Sequence, residues 1–369
     1  MPLTVLQALP ALEVGGVERG TVEVATALTA EGHRAMVVSA GGRLVDKLTA
    51  CGGEHIDLNI GKKSPLTLRH VAGLRALLQQ ERVDIVHARS RLPAWICWLA
   101  LRALPAETRP VFITTVHGPY SVNRYSRIMC RGERVIAISG FIREYILNNY
   151  PDTNPDRIRV IHRGVDSAEF PFAYRPDAAW LQSWHERRPG VRDRFVITAP
   201  ARITRWKGQE DFIHIVQGLK QAGVPVHGLI AGGAHPRRQK FLNELVDMVK
   251  RFGLDHDISF LGHRDDLKEI MAVSDVVMSL AREPEAFGRT ALESLCLGTP
   301  VIAYDHGGAA EVLAKMFPAG RIEPMNIQQA IERAGDFYKT PPRMTDNNVF
   351  TRQQMLDQTL ALYRESVTR

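Results

Sequence analysis

Glu283-Pro-Glu285-Ala-Phe-Gly288-Arg-Thr-Ala-Leu-Glu293, followed by Gly298-Thr-Pro-Val-Ile and Gly307-Gly308, is the stretch on which the fold assignment turns. An apolar run, Asp275-Val-Val-Met-Ser-Leu, precedes it, and Val301-Ile-Ala-Tyr304 follows. Short β-branched runs on either side of a helical segment read as parallel strands joined by a helix. Glu285 then lies in the loop at the carboxyl end of the first strand and Glu293 on the helix, which Gly298 ends. Phe287-Gly288-Arg289 marks the helix start, an end where an anion is favoured. Acids able to grip hydroxyls beside a phosphate-binding helix end imply a sugar joined to a phosphate.

The same alternation runs outward along the chain. Strands are expected near Leu3–Leu9, Ala35–Ala40, Ile56–Ile60, Asp84–His87, Val111–His117 and Arg134–Ser139, with a helix over Ser64–Arg82 opened by Ser64-Pro65. Residues 171–192 carry Pro171, Pro176 and Pro189 and read as a linker. The pattern restarts at Phe195–Ala201 and continues through Val226–Gly233, Ile258–Gly262, Val276–Leu280 and Val301–Tyr304. The expected fold class is therefore α/β, with two Rossmann-like, doubly wound parallel-sheet domains over residues 1–170 and 193–350. Such a pair places its chemistry in an interdomain cleft at the carboxyl ends of both sheets.

With 369 residues and 45% hydrophobic content, the chain can bury two cores. Its four cysteines are scattered without a C-x-x-C, which reads as reduced core residues rather than a disulfide frame or zinc site. The amino terminus lacks a basic n-region, so a cytoplasmic location is expected. The apolar segment Leu92–Leu101 is too short to span a bilayer. The net charge of +7 is concentrated: residues 62–134 hold thirteen Lys/Arg against four Asp/Glu. That asymmetry suits an anionic membrane surface or an acidic acceptor. Nucleic acid is not expected, since no binding module and few aromatics accompany the basic residues.

Further candidates sit at strand ends. Arg202-Ile-Thr-Arg-Trp-Lys207-Gly208 follows the first strand of the second half, where cations can face a phosphate. Val14-Gly15-Gly16-Val17-Glu18-Arg19 lies between the first strand and a helix, and its glycines let backbone approach a ligand. His117-Gly118 ends a strand in the first half, and His263-Arg264 follows one in the second. Asp255-His-Asp257 has the form of a metal site but precedes a strand at its amino end, away from the expected cleft. No other cluster has metal-ligand spacing.

The block from Glu285 to Glu293 resembles the Glu-x7-Glu signature of retaining glycosyltransferases of family 4, which have the GT-B fold and use nucleotide-sugars. Ala286 and Arg289 stand where that family usually has glycine and an aliphatic residue. The resemblance covers nearly the full chain. It implies that Arg202 and Lys207 hold the donor diphosphate, with Gly15, Gly16, Phe287, Gly288 and Arg289 also at the donor. It further implies that Glu285 binds the donor sugar, Glu293 the nucleotide ribose and His117 the sugar near the reacting centre. His263 and Arg264 would flank the base. The first domain would be the acceptor side, with a closing helix over about 351–369 packing back onto it.

The implied reaction is hexosyl transfer from a nucleoside-diphosphate sugar, a UDP-sugar by preference, with retention and by front-face substitution. No metal or other cofactor is expected. Asp84-Ile-Val-His-Ala-Arg-Ser90 and Glu-Ala-Phe-Gly-Arg resemble the wording of bacterial lipopolysaccharide-core and cell-envelope members. A glycan or glycolipid acceptor and a peripheral position on the inner face of the cytoplasmic membrane follow from that likeness. Two alternatives remain: a GT-B epimerase acting on the nucleotide-sugar, and a non-catalytic sugar- or partner-binding paralogue.

Overall fold

The computed structural model describes residues 2–13 and 15–368, so Met1, Arg369 and Val14 of the glycine loop lie outside the described residues. The chain forms two compact units, residues 1–162 with 352–369, and residues 163–351.

Among the described residues, the first unit has seven strands: β1 (Thr4–Ala8), β2 (Arg34–Ser39), β3 (Glu54–Asp57), β4 (Ile85–Ala88), β5 (Val111–Val116), β6 (Arg134–Ala137) and β7 (Ile158–Val160). They pair in the order β3-β2-β1-β4-β5-β6-β7, all parallel. Inner strands are buried along their length, as a parallel sheet covered on both faces requires. Val5, Ile85, Ile113 and Ile136 pack with Val22 and Leu28 of the helix Gly16–Ala30. Met355, Leu360 and Tyr363 of the helix Arg352–Val367 complete the same core. His87 links that helix to the sheet, with Nδ1 2.6 Å from the Tyr363 hydroxyl and Nε2 2.6 Å from Thr115 Oγ1.

The second unit has six strands: β8 (Phe195–Ala199), β9 (Val226–Ala231), β10 (Ile258–Gly262), β11 (Val276–Ser279), β12 (Val301–Tyr304) and β13 (Arg321–Ile322). Their order is β10-β9-β8-β11-β12-β13, again all parallel. Each unit is thus a Rossmann-like sheet wound outward from a central pair.

Three local expectations shift. The strand expected over 56–60 is Glu54–Asp57, in register with Met36–Ser39. The helix expected over 64–82 opens with a 3-10 turn, Pro65–Arg69, and becomes α-helical only over His70–Gln80. Ser64 does cap that turn, its hydroxyl accepting from Leu66 N–H. Residues 171–192 are more than a connection, and the first unit ends at 162 rather than 170. They contain the helix Ala178–Arg187, capped by Asp177. Its buried Trp184 stacks on Trp180 and packs with Val191, Val196, Leu229 and Ile270. Pro176 and Pro189 flank the helix instead of breaking it.

All four cysteines are free thiols, three of them buried. Among the described residues, no helix is long and apolar enough to cross a membrane.

The amino edge of the second sheet carries a charge cluster around the buried Asp257. Asp257 accepts from Arg194 at 2.5 Å and from Lys220 at 2.6 Å. Burial alone would raise its carboxyl pKa, but these two partners outweigh burial and hold it below the usual range. Beside it, burial and the Arg194 charge push His227 down to about 4. His227 therefore stays neutral in the folded chain, while the unfolded chain takes up a proton near the ordinary imidazole pKa of 6.5. Its contribution to stability is complete above that value and falls as pH drops toward about 4. The urea midpoint should decline across this window, and His227→Gln should flatten the decline. An equally steep decline in the variant would assign it to other groups.

Candidate functional site

In the second sheet β8 and β11 are neighbours whose connections leave in opposite directions, β8 toward β9 and β11 toward β12. A crevice opens at the carboxyl ends of such strands. Most candidate residues hang on the two loops that flank it.

After β8, Arg202 is exposed while its main chain is pinned. Its carbonyl accepts from Gln209 Nε2 at 2.9 Å, and Ile203 N–H donates to the Gly233 carbonyl at 3.1 Å. A short 3-10 turn, Arg205–Lys207, ends at Gly208 with φ 73°. A Cβ on Gly208 would lie 2.0 Å from the Leu280 carbonyl oxygen, so only glycine lets this loop run against the one after β11. The two loops are joined by the Arg282 N–H donating to the Trp206 carbonyl at 2.7 Å. The Arg282 guanidinium grips the buried Asp211 at 2.6 and 3.0 Å and Glu210 at 2.7 Å. Tyr304, at the end of β12, donates its hydroxyl to the same Asp211 at 2.9 Å.

Across this join, the Lys207 ammonium pairs with the Glu285 carboxylate, with side chains only 20% and 14% exposed. Lys207 also lies over the Trp206 ring, 4.3 Å from its centroid. The Glu285 loop is clamped from behind. Gly308 N–H donates to the Glu285 carbonyl at 2.7 Å, and a Cβ on Gly308 would lie 2.3 Å from Phe287 Cα. His306 Nε2 lies 2.7 Å from the Ala281 carbonyl, which makes that nitrogen the protonated one. Phe287 is buried, and Gly288 at φ 76° starts the helix Arg289–Leu297 without a side-chain cap. One turn on, Arg289 Nε donates to Glu293 Oε1 at 2.7 Å.

The structure thus brings Lys207 and Glu285 into contact, with Arg202 on the same loop as Lys207 and Phe287 through Glu293 directly downstream. Arg205 is turned elsewhere, over the Phe241 ring and paired with Glu244 and Glu210. His263 follows β10 and is exposed, with its Cβ 3.4 Å from where a Gly233 Cβ would lie. Arg264 is engaged differently from its neighbour. It makes a two-pronged pair with Asp266 at 2.7 and 2.6 Å, and Asp266 in turn accepts from Trp180 Nε1 at 2.9 Å.

The remaining candidates belong to the first unit. His117 directly follows β5, half-buried, and its backbone N–H donates to the Tyr120 hydroxyl at 3.3 Å. Gly15 is the N-cap and Gly16 the first residue of the helix that follows β1. Strand β4 separates β1 from β5, so these residues share the carboxyl edge but stand one strand apart. Asp255 and Asp257 lie at the amino end of β10, on the opposite edge. Among the described residues, no group of three His, Cys, Asp or Glu could hold a metal ion.

Sequence reasoning missed Asp211, Arg282 and Tyr304, which position both loops. The available signal was their placement: Arg282 and Tyr304 at strand ends, and Asp211 in the first turn of the helix Gln209–Gln221.

A family profile described as Glycosyltransferase Family 4 matches residues 14–169, and one described as Glycosyl transferases group 1 matches residues 182–350. The crystal structure of a glycosyltransferase from Rickettsia africae ESF-5 is 31% identical, with a TM-score of 0.86 over 100% of this chain and 99% of that one. Anabaena Alr3699/HepE in complex with UDP-glucose is 20% identical, with a TM-score of 0.79 over 98% of this chain and 100% of that one. That likeness shows a shared GT-B fold. YtcC, a Bacillus subtilis (strain 168) protein named as a glycosyltransferase, is 25% identical over 222 residues, 58% of this chain and 54% of that protein. The chain spans about half the length of the first curated relatives it matches (54%, 44% and 42%).

Gly308 supplies a direct check on the clamped loop. Gly308→Ala should force the Glu285 segment outward at an overpacking cost of about 1–3 kcal/mol. Nucleoside-diphosphate affinity by calorimetry should fall as the Glu285 segment moves. Undiminished affinity in a destabilised variant would separate this loop from the ligand site.

Proposed function

The chain belongs to the group 1 glycosyltransferases, with a family 4 domain ahead of its group 1 domain, and we propose that it moves a sugar from a nucleoside-diphosphate sugar to a hydroxyl of a cell-envelope glycan or glycolipid. The donor of preference is a UDP-sugar and the acceptor class lipopolysaccharide core. The observation that carries this reading is the Lys207–Glu285 pair at the β8/β11 crevice, beside the uncapped helix start at Gly288. A cation for phosphate and a carboxylate for sugar hydroxyls stand there in contact. The UDP-glucose bound to the Anabaena relative supports the donor class.

In the proposed reaction, the bond between the anomeric carbon and the phosphate oxygen breaks, and its electron pair leaves with the diphosphate. The acceptor oxygen forms the new bond on the same face, which gives retention. Its proton passes to the departing phosphate oxygen, so no side-chain base is needed. Lys207, Arg202 and the amides around Phe287, Gly288 and Arg289 stabilise the leaving charge without a metal. Glu285 binds donor hydroxyls and favours positive charge at the anomeric carbon. Glu293 binds the ribose, oriented by Arg289. His117 is assigned to the donor sugar, Gly15 and Gly16 to phosphate, and His263 to the base, with Arg264 holding the adjacent turn.

Lys207→Ala should lower the transfer rate on the order of a hundredfold to a thousandfold, far more than the loss of its ion pair lowers the urea midpoint. Turnover at the wild-type rate in a folded variant would remove Lys207 from the chemistry. Incubation with donor alone distinguishes transfer from epimerisation, since only an epimerase converts the sugar without an acceptor.

The same proposal places the chain on the inner face of the cytoplasmic membrane. Leu66 and Leu68 are 71% and 55% exposed on the 3-10 turn Pro65–Arg69, next to Lys62, Lys63 and Arg69. Apolar tips ringed by cations suit an anionic bilayer. Vesicles containing phosphatidylglycerol should carry the chain in flotation, and Leu66→Ser/Leu68→Ser should release it. Equal flotation of the variant, or none with the wild type, would overturn this placement.

A further inference from the structure

A second concentration of charge lies in the first unit, away from the strand end that carries His117. A cavity of about 450 Å³ is lined by Trp98, Arg127, Arg131, Asp152, Thr153 and Arg157. Arg131 caps the 3-10 turn Ser126–Cys130, which leads into β6, and Arg157 ends the 3-10 turn Pro155–Arg157, which leads into β7. Val135 of β6 stands opposite Ile158 of β7, so the two approaches run side by side. The cavity therefore lies at the amino ends of these strands, on the edge opposite His117.

Three arginines and one carboxylate line it among the described residues, an excess of two positive charges. Asp152 is taken by Arg127. Arg131 and Arg157 make no ion pair among the described residues. Cys130, also in the wall, is 9% exposed, and burial pushes its thiol up to about 11, so it adds no negative charge.

The cations are held in place. The Arg131 guanidinium lies over the Trp98 indole, 5.1 Å from the ring centroid, and Arg102 lies 4.7 Å from the same ring. Trp98 packs edge-on against Trp95, whose Nε1 donates to the Tyr125 carbonyl at 2.9 Å. One indole thus draws two like charges together, and their repulsion is relieved by an anion. The backbone is equally fixed. Arg131 N–H donates to the Ile128 carbonyl at 3.1 Å, Thr153 N–H to that of Tyr150 at 2.9 Å and Arg157 N–H to that of Asn154 at 3.1 Å. Guanidinium forks arranged in advance around a cavity suit phosphate oxygens, which they bind two at a time. The volume is that of a small-molecule pocket, enough for a phosphate and the group it is attached to.

We infer that this cavity is a phosphate-binding site, with Arg131 and Arg157 as its available cations, and that its ligand is a phosphate ester in solution. A lipid headgroup offers the same chemistry from another source. The membrane placement proposed above rests on Leu66 and Leu68, on the connection that leaves the carboxyl end of β3. Strands β3 and β7 are the two outer strands of this sheet. The cavity is thus at the other end of the strand order and on the other edge, turned away from a bilayer held by those leucines.

Calorimetry of the full chain tests the site with inorganic phosphate and glucose 6-phosphate, and with glucose as the neutral control. Excess UDP is present throughout, so that any nucleotide crevice is occupied. Glucose 6-phosphate should bind and glucose should not. Arg131→Gln/Arg157→Gln should weaken glucose 6-phosphate at least about tenfold, the worth of one charge-assisted hydrogen bond. Asp152→Asn, which frees Arg127, should tighten it about threefold. All three side chains are exposed, and circular dichroism verifies that the variants are folded. Absence of binding of both phosphate probes to the wild type, or wild-type affinity in the double variant, would overturn the site. So would an equal loss of affinity in Lys207→Ala, which would move the phosphate to the second unit. Flotation on phosphatidylglycerol vesicles separates the two sources. Equal flotation of wild type and double variant, or none by either, supports a ligand in solution; flotation lost only in the double variant would overturn that source in favour of a headgroup.

Discussion

The second unit's candidate site depends on one buried carboxylate. Asp211 lies in the first turn of the helix that follows β8, where the helix dipole favours a negative charge. It accepts from Arg282, on the loop after β11, and from Tyr304, at the end of β12. One side chain thereby ties together the carboxyl ends of three strands. Burial, and then the Asp211 charge, push the Tyr304 hydroxyl well above its usual range, so it remains a donor. Two hydrogen bonds to Asp211 likewise raise Arg282. With both partners fixed in their donating forms, the arrangement holds the Arg282 backbone against Trp206. That contact brings Lys207 to Glu285. Positioning is thus built into the scaffold before a ligand arrives, which is where rate enhancement by orientation originates.

Glycines make this approach sterically possible, and they explain why so much of the site was legible. Gly208, Gly288 and Gly307 all have positive φ, and a side chain at Gly308 would collide with Phe287. Each stands out in the sequence because it interrupts a strand–helix pattern. Caps are legible for the same reason: Ser64 and Asp177 bond within three residues of themselves. The ties that set the site are not local. Asp211 lies 71 residues from Arg282 and 93 from Tyr304, and no periodicity couples positions so far apart. The helix Ala178–Arg187 was hidden differently: its flanking prolines look like linker chemistry until Trp184 is seen buried against β8 and β9. Glu54–Asp57 was hidden by its exposure, since an edge strand shows little apolar pattern.

The two sheets share a winding order but differ in how their switch points handle charge. In the second unit every cation at the crevice that the structure pairs has a carboxylate: Lys207 with Glu285, Arg282 with Asp211, Arg289 with Glu293. In the first unit, among the described residues, the buried Arg89 donates from its side chain to the neutral Gln7 carbonyl and makes no ion pair, while Glu18 lies against Gly15 at a helix start. The sequence shows Arg89 as one more basic residue in a basic stretch. Its burial distinguishes it, and burial is a property of the fold.

Charge pairing in the second crevice bears on the proposed chemistry itself. A lone lysine or a lone glutamate this enclosed would be a buried charge without a partner, which is costly. Held against each other, each supplies the partner the other needs. A nucleotide-sugar that fills the crevice offers Lys207 a phosphate in place of Glu285, and offers Glu285 hydroxyls in place of Lys207. The exchange leaves neither group unpaired. In the proposed reaction the ion pair therefore holds both side chains in place, and a ligand carrying phosphate and sugar together replaces both partners at once.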